Sequence, residues 1–173
     1  MKHIQLDDLN EMSKIYRLNL VNSITGYKSA HLIGSQSLDG KNNVAVFSSV
    51  IHLGSNPALI GFILRPTSVP RHTYSNIKAT GIFTLNAITK KQIEDAHHTS
   101  AKYPEEISEF DKTNLKIEKK GDWNAPFVKD VPIQMGCRYQ NEYHIKENDT
   151  KLIVASVEHF YVSESLLLED GWV

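Results

Sequence analysis

The chain lacks the residues from which many metal and redox centres are built, since it contains one cysteine among 173 residues. A single cysteine excludes an internal disulfide and any metal site made of several cysteines. Cys137 lies in the strand-like segment 133–139, and we predict that it is a buried thiol. The adjacent His97 and His98 point about 100° apart on a helix and cannot easily share one ion. We expect them to be solvated at a helix end, with no metal bound.

The chain also has little net charge and no long apolar run. Nineteen lysine and arginine side chains oppose twenty acidic ones, which leaves a formal charge of -1. Such a balance provides no electrostatic footprint for nucleic acid or for an anionic membrane surface. No apolar run approaches the ~20 residues of a membrane-spanning helix, and the polar first residues do not form a secretory signal. We therefore expect a cytoplasmic protein that binds neither nucleic acid nor membranes.

Several familiar motifs of nucleotide binding and catalysis are missing. The sequence contains no Gly-x-Gly-x-x-Gly, no Walker loop and no Gly-x-Ser-x-Gly, which excludes a Rossmann-type nicotinamide domain and a nucleophile elbow. The acidic residues between positions 105 and 111 are not spaced as a glycosidase pair, and we interpret them as one solvated face. They are Glu105, Glu106, Glu109 and Asp111.

What the chain does contain is a succession of short strand-like segments. Its length is that of a single domain, residues 1–173. An N-terminal helix is predicted over about residues 7–20, with Asp8 as its cap. Strands are predicted at 30–37, 43–51, 59–64, 82–87, 132–145 and 152–162, and further helices at 74–79 and 89–97. This pattern indicates a mainly β (α+β) fold, a closed or nearly closed antiparallel barrel with a few peripheral helices.

The most informative segment runs from position 65 to position 76. It lies between an apolar strand and a helix start, where backbone N–H groups and the helix dipole favour an anion. The planar guanidinium of arginine suits phosphate oxygens. The segment therefore predicts a phosphate-bearing small molecule, the alternative being a solvated loop whose hydroxyls cap the helix. Its polar residues are Arg65, Thr67, Ser68, Arg71, Thr73 and Asn76.

The order of these segments resembles the flavin reductase-like proteins, the FMN-binding split barrels. The resemblance rests on residues 43–49, 55–58, 65–73, 76–77 and 81–86, and extends through 100–103 and 108–110 to the strand at 152–162. It implies an antiparallel split β-barrel that binds FMN. It also implies a homodimer with FMN near the subunit interface. Such proteins continue past the equivalent of Asp170-Gly171, so we expect a short tail that leaves the flavin site open or closed by Trp172.

The resemblance also implies which residues contact the cofactor. The polar residues at 65–76 would hold the phosphate, and the segment 43–48 would lie along the ribityl chain and the ring, through Asn43, Ala45, Val46, Phe47 and Ser48. Ser100 and Ala101 would face the ring. Ser35 would contact the flavin beside Gly34, a strand glycine that marks either a close approach or a barrel bend. An ordinary buried strand at 43–49 and a helix-ending loop at 100–102 are the alternatives.

The implied activity is that of a flavin reductase-like oxidoreductase. NAD(P)H would transfer a hydride to the flavin, which would pass electrons to a second flavin or another acceptor. Because the cofactor carries this chemistry, no catalytic side chain is predicted. An FMN-binding electron-transfer protein without NAD(P)H activity and a non-enzymatic flavin-binding protein are the alternatives. No ribose-recognition element distinguishes NADH from NADPH.

Overall fold

The computed structural model describes residues 3–173 and is built on one seven-stranded sheet. The strands are β1 (His31–Gln36), β2 (Asn42–Phe47), β3 (Ile51–Ser55), β4 (Ala58–Leu64), β5 (Ile82–Ala87), β6 (Ile117–Glu118), β7 (Phe127–Val128), β8 (Ile133–Ile145) and β9 (Thr150–Val162). The helices are α1 (Leu6–Glu11), α2 (Lys14–Ser23), α3 (His72–Thr80) and α4 (Ile93–His98), with 3₁₀ turns at Lys90–Gln92 and Glu109–Asp111.

The main sheet has the strand order β2-β1-β5-β8-β9-β4-β3, and β6 pairs with β7 in a separate ribbon. Every paired neighbour is antiparallel. The prediction of a mainly antiparallel β fold with a few helices is therefore confirmed.

The sheet is bent because one chain segment joins its two edges. β2 and β3 are the edge strands, and only residues 48–50 connect them. Within this connection, Ser49 Oγ accepts a hydrogen bond from the Ile63 amide (3.0 Å) and donates one to the Ile63 carbonyl (3.3 Å). Ile63 belongs to β4, so the end of β2 is held against the opposite side of the sheet. The prediction of one strand over 43–51 is wrong, since the chain changes edges at this point.

Two apolar clusters lie on opposite faces of β1. The inner cluster includes Ile33, Phe62 and Phe83, all at most 1% exposed, and the Phe62 ring meets that of Phe83 edge-to-face at 5.7 Å. The outer cluster includes Leu32 and packs under α4 and the second 3₁₀ turn. Successive side chains of a strand point to opposite faces, so neighbouring β1 residues supply both cores.

The helices predicted at 74–79 and 89–97 are present, and local residues fix one end of each. Gly81 ends α3 with a left-handed φ of 74°, and its amide donates to the Ile77 carbonyl, as expected for a glycine cap. Thr89 and Gln92 form a capping box at the start of the turn that leads into α4.

The N-terminal segment differs from the single predicted helix. α1 and α2 are separate because Ser13 caps α2, its hydroxyl accepting from the Tyr16 amide at 3.3 Å. Asp8 does not cap α1; it sits at the third helical position, and its carboxylate accepts from the Gln5 amide at 2.7 Å. No residue of either helix is buried.

Glu142 of β8 ties α3 to the long β8–β9 hairpin. Its carboxylate accepts hydrogen bonds from the Tyr74 hydroxyl (2.9 Å) and the Lys151 ammonium (2.8 Å). The Tyr139 hydroxyl donates to it at 3.2 Å, and the Lys78 ammonium lies 3.5 Å away. Burial by itself would raise the pKa of Glu142, but these donors and charges outweigh it and lower the pKa to about 2.

We expect Glu142→Gln to reduce the free energy of unfolding at pH 7 by about 1.5–3 kcal/mol, the scale of hydrogen bonds to a charged group. The folded pKa lies below the ordinary value of 4.5, so this stabilisation is complete above that value. It disappears as the pH falls towards 2. Urea unfolding of both proteins at pH 7 and about pH 2.5 measures the effect, with the exposed Glu164→Gln as control. A difference of equal size at both pH values would contradict this account.

Candidate functional site

Four of the predicted site residues form a buried hydrogen-bonded group between α3 and the β1–β2 hairpin. Asn43 Nδ2 donates to Thr73 Oγ1 at 3.0 Å and to Ser35 Oγ at 3.3 Å. Asn76 Nδ2 donates to the same Ser35 oxygen at 3.2 Å. All four residues are buried, so the group fixes the start of α3 against the sheet.

Ser35 does not reach the surface, because its exposed fraction is 0% and its hydroxyl oxygen accepts both asparagine amides. Ser35 therefore holds Asn43 and Asn76 in place from within the protein, and its contact with a ligand stays a prediction. The close approach expected at Gly34, the residue before Ser35, is explained by packing within the protein. A Cβ added at Gly34 would overlap the Pro126 carbonyl. The close approach at Gly34 is thus made by the protein's own backbone.

Residues 65–71, the first part of the segment predicted to bind a phosphate, form an open loop that leads into α3. Arg65, Thr67 and Ser68 are exposed, and Arg71 is half-buried. Arg71 is the residue that precedes the first turn of α3, and its Nε donates to the Pro66 carbonyl at 3.2 Å. This bond orients the side chain while its terminal N–H groups remain for other acceptors. The unpaired amides of the first helical turn add donors at the same place. The loop can therefore hold a phosphate group.

The two segments predicted to contact a ring are brought together by one threonine. The Val46 amide donates to Thr99 Oγ1 at 2.9 Å, although the two residues are 53 positions apart. Ser48 of the first segment is exposed, and so are Ser100 and Ala101 of the second. Ala45 and Phe47 are partly exposed. The end of β2 and the turn after α4 thus form one surface.

Glu109 is buried, so its assignment to a solvated acidic face is wrong. Its exposed fraction is 7%, and its Oε2 accepts the Val44 amide at 3.1 Å. Burial raises the pKa of this carboxyl, opposed by backbone hydrogen bonds and by the charge of His72. Its neighbours Glu105 and Glu106 are exposed as predicted.

The cysteine and the paired histidines lie as predicted. Cys137 is 0% exposed in β8, and burial raises the pKa of its thiol. His97 and His98 are exposed in the last turn of α4. Across residues 3–173 no three histidine, cysteine or carboxylate side chains are grouped to hold a metal ion. None of the helices in that range is both long and apolar enough to cross a membrane.

A concave region of about 460 Å³ lies beside Gln36, Asn42 and Trp123. It contains none of the predicted site residues. A pocket of about 30 Å³ is lined by Asn43 and Asn76 among others. We assign the candidate site to the loop and the strand end, because the exposed guanidinium and hydroxyl groups gather there.

Residues 28–171 match the flavin reductase like domain. The chain belongs to this family. It is 38% identical to a protein of Shewanella frigidimarina NCIMB 400 whose crystal structure is described as that of a flavin reductase with a split barrel domain. That likeness has a TM-score of 0.95 and covers 100% of this chain and 86% of the other. The predicted antiparallel split β-barrel is therefore confirmed, as is the family resemblance.

Two further proteins are similar to this chain, one in fold and one in sequence. Nitrilotriacetate monooxygenase component B from Bacillus cereus shares the fold, at 21% identity and a TM-score of 0.83 over 99% of this chain and 86% of that one. An "uncharacterized protein" of Methanothermobacter thermautotrophicus is 28% identical over 144 residues. That match covers 80% of this chain and 66% of the relative's length.

Thr99 and Glu109 are two buried neighbours of the candidate site that sequence reasoning missed. Thr99 directly precedes the predicted ring contacts at 100–101, and Glu109 lies in the segment 108–110 that carries part of the resemblance. The sequence signal that could have pointed to both residues was their position in or beside these segments. Their partners, Val46 and Val44, are too far away in sequence for the pairing to be inferred.

We expect Ser35→Ala to destabilise the flavin reductase-like fold by about 1–3 kcal/mol, because it removes the shared acceptor of two buried amides. Urea unfolding at pH 7 measures this loss. Ser75→Ala, at an exposed position of α3, is the matched control and should leave the free energy of unfolding nearly unchanged. Equal stability of the two variants would show that the buried group is not energetically important.

Proposed function

We propose that residues 1–173 form a single FMN-binding domain that acts as an NAD(P)H-dependent flavin oxidoreductase. The observation that carries the proposal is the position of the cationic loop 65–71. It leads directly into α3, whose start is tied to β2 through the bond between Asn43 and Thr73. A flavin phosphate bound at this loop would leave the end of β2 to contact the remainder of the cofactor.

The residues of the loop fit a phosphate monoester such as that of FMN. Two guanidinium groups, Arg65 and Arg71, and the hydroxyls of Thr67 and Ser68 are at least partly exposed there. A phosphate accepts several charge-assisted hydrogen bonds from such groups. In this proposal these four residues bind the phosphate, while the buried Thr73 and Asn76 hold the first turns of α3 in place.

The ring would lie on the surface made by the end of β2 and the turn after α4. Asn43 supports this strand from within. Ala45, Val46 and Phe47 are partly exposed there and Ser48 is exposed, and the exposed Ser100 and Ala101 would border the same surface. When bound, FMN supplies the redox chemistry by accepting a hydride from NAD(P)H and passing electrons to a second flavin or another acceptor. The protein's residues bind and orient it, and no side chain acts as acid or base.

The proposal includes a homodimer in the cytoplasm with FMN near the subunit interface. The exposure of the first two helices, α1 and α2, supports the presence of a partner subunit. Neither α1 nor α2 buries a residue within its own chain, and the apolar Ile15, Val21 and Ile24 are more than half exposed. Isolated helices this short are marginal in water, so packing on a second copy would stabilise them. Sedimentation of the purified protein measures the oligomeric state.

The activity is tested by absorbance between 300 and 550 nm, first on the purified protein and then after addition of FMN or FAD. NADH or NADPH is added next without oxygen. We expect FMN to bind and its band near 450 nm to bleach with at least one nicotinamide. Bound FMN that neither reductant bleaches would indicate an electron-transfer protein. Failure to bind any flavin would overturn the proposal.

We expect Arg71→Ala to weaken FMN binding by about 1.5–3 kcal/mol, the scale of a charge-assisted hydrogen bond. This corresponds to a dissociation constant about 10 to 150 times higher. Flavin fluorescence titration measures it. Lys116→Ala, which removes an exposed cation elsewhere, is the control. Unchanged affinity in Arg71→Ala would show that the phosphate binds elsewhere.

A further inference from the structure

The outer edge of β2 is hydrogen-bonded to side chains instead of to another strand. β2 lies at the end of the main sheet and pairs only with β1. In an antiparallel pair the amides of alternate residues point away from the partner strand. Two of these outward amides have side-chain acceptors, since Val44 donates to Glu109 Oε2 at 3.1 Å and Val46 to Thr99 Oγ1 at 2.9 Å.

Both acceptors are themselves held in place. Thr99 is 4% exposed, and its hydroxyl donates to the Ala96 carbonyl at 2.7 Å, which leaves the oxygen lone pairs for Val46. Glu109 is 7% exposed. It lies in a 3₁₀ turn whose next residue, Phe110, is buried in the outer cluster together with Val44. These are therefore fixed interior contacts.

We propose that Thr99 and Glu109 are positioning residues for the flavin, a role that rests on the function proposed above. Together they fix the edge of β2 immediately before Ser48, the exposed end of the segment that would lie along the ring. Thr99 also positions the other side of the ring site, because the next two residues are the proposed ring contacts Ser100 and Ala101. Its bond to Val46 sets the distance between the two sides of the ring site.

The competing explanation is that these bonds only protect an edge strand from pairing with other chains. Under that explanation, their loss lowers stability or promotes association, while folded monomers or dimers bind flavin as before. Under the positioning role, a folded variant that lacks one of these bonds binds flavin more weakly than the wild type. The dissociation constant measured well below the unfolding transition separates the two.

The first test compares Thr99→Val with Thr99→Ser. Valine has nearly the shape of threonine but offers no acceptor, and serine keeps the hydroxyl. We expect Thr99→Val to raise the dissociation constant for FMN by about tenfold, the scale of one hydrogen bond. Thr99→Ser should stay within about threefold of the wild type. Thr80→Val is the control, since Thr80 also donates to a helix carbonyl, that of Asn76, but is remote from the edge of β2.

The second test compares Glu109→Met with Glu109→Gln. Methionine has a similar length without an oxygen acceptor, and glutamine retains one. We expect a rise of about tenfold in the dissociation constant for Glu109→Met and near-wild-type binding for Glu109→Gln. Hydrogen exchange of the Val44 and Val46 amides, measured without flavin, reports directly on the two bonds in every variant.

The outcomes distinguish the two proposals. Wild-type protein that binds no flavin overturns the proposed function together with the positioning role. Wild-type protein that binds FMN, with Thr99→Val and Glu109→Met binding equally well although their Val46 or Val44 amides exchange faster, overturns the positioning role alone. Weakened binding in both variants, with recovery in Thr99→Ser and Glu109→Gln, supports it.

Discussion

Backbone N–H and C=O groups at the edge of a sheet need partners, and in this protein that requirement concentrates at β2. Its inner side pairs with β1, and its outer amides at Val44 and Val46 are accepted by Glu109 and Thr99. The segments that carry these acceptors must therefore pack beside the strand. α4 and the 3₁₀ turn after it do so, and their apolar side chains form the outer cluster with Val44.

The other end of β2 determines the shape of the barrel. Residues 48–50 carry the chain from one edge of the sheet to the other, and Ser49 bonds to both backbone groups of Ile63 on the way. Because this crossing lies beside the end of β4, the loop 65–71 begins close to the exposed Ser48. A cationic loop and an exposed strand end are thereby neighbours, which is the arrangement that a long ligand with a terminal phosphate requires.

The buried polar group beneath this region makes the arrangement specific. Ser35 accepts amides from β2 and from α3, so strand and helix are held in one relative position. Buried polar groups cost free energy unless they are hydrogen-bonded, and within residues 3–173 no buried side-chain nitrogen or oxygen atom lacks a partner. In the proposed site, a loop that binds a phosphate would benefit from such a base, because affinity falls when binding groups have to be ordered first.

The sequence by itself determined the features that depend on residues close together in the chain. Alternating apolar residues indicated most of the strands, Gly81 ended α3, and Thr89 with Gln92 opened the turn before α4, because these signals act within a few positions. The local composition of the segment 65–76 likewise predicted an anion site there. The tertiary structure decided what depends on packing: the crossing at Ser49, the full burial of Ser35, and the long-range bonds of Thr99 and Glu109. Glu109 stands among exposed acidic residues in the sequence. Nothing near it in the chain indicates that it is buried and that its carboxylate accepts the Val44 amide, 65 positions away.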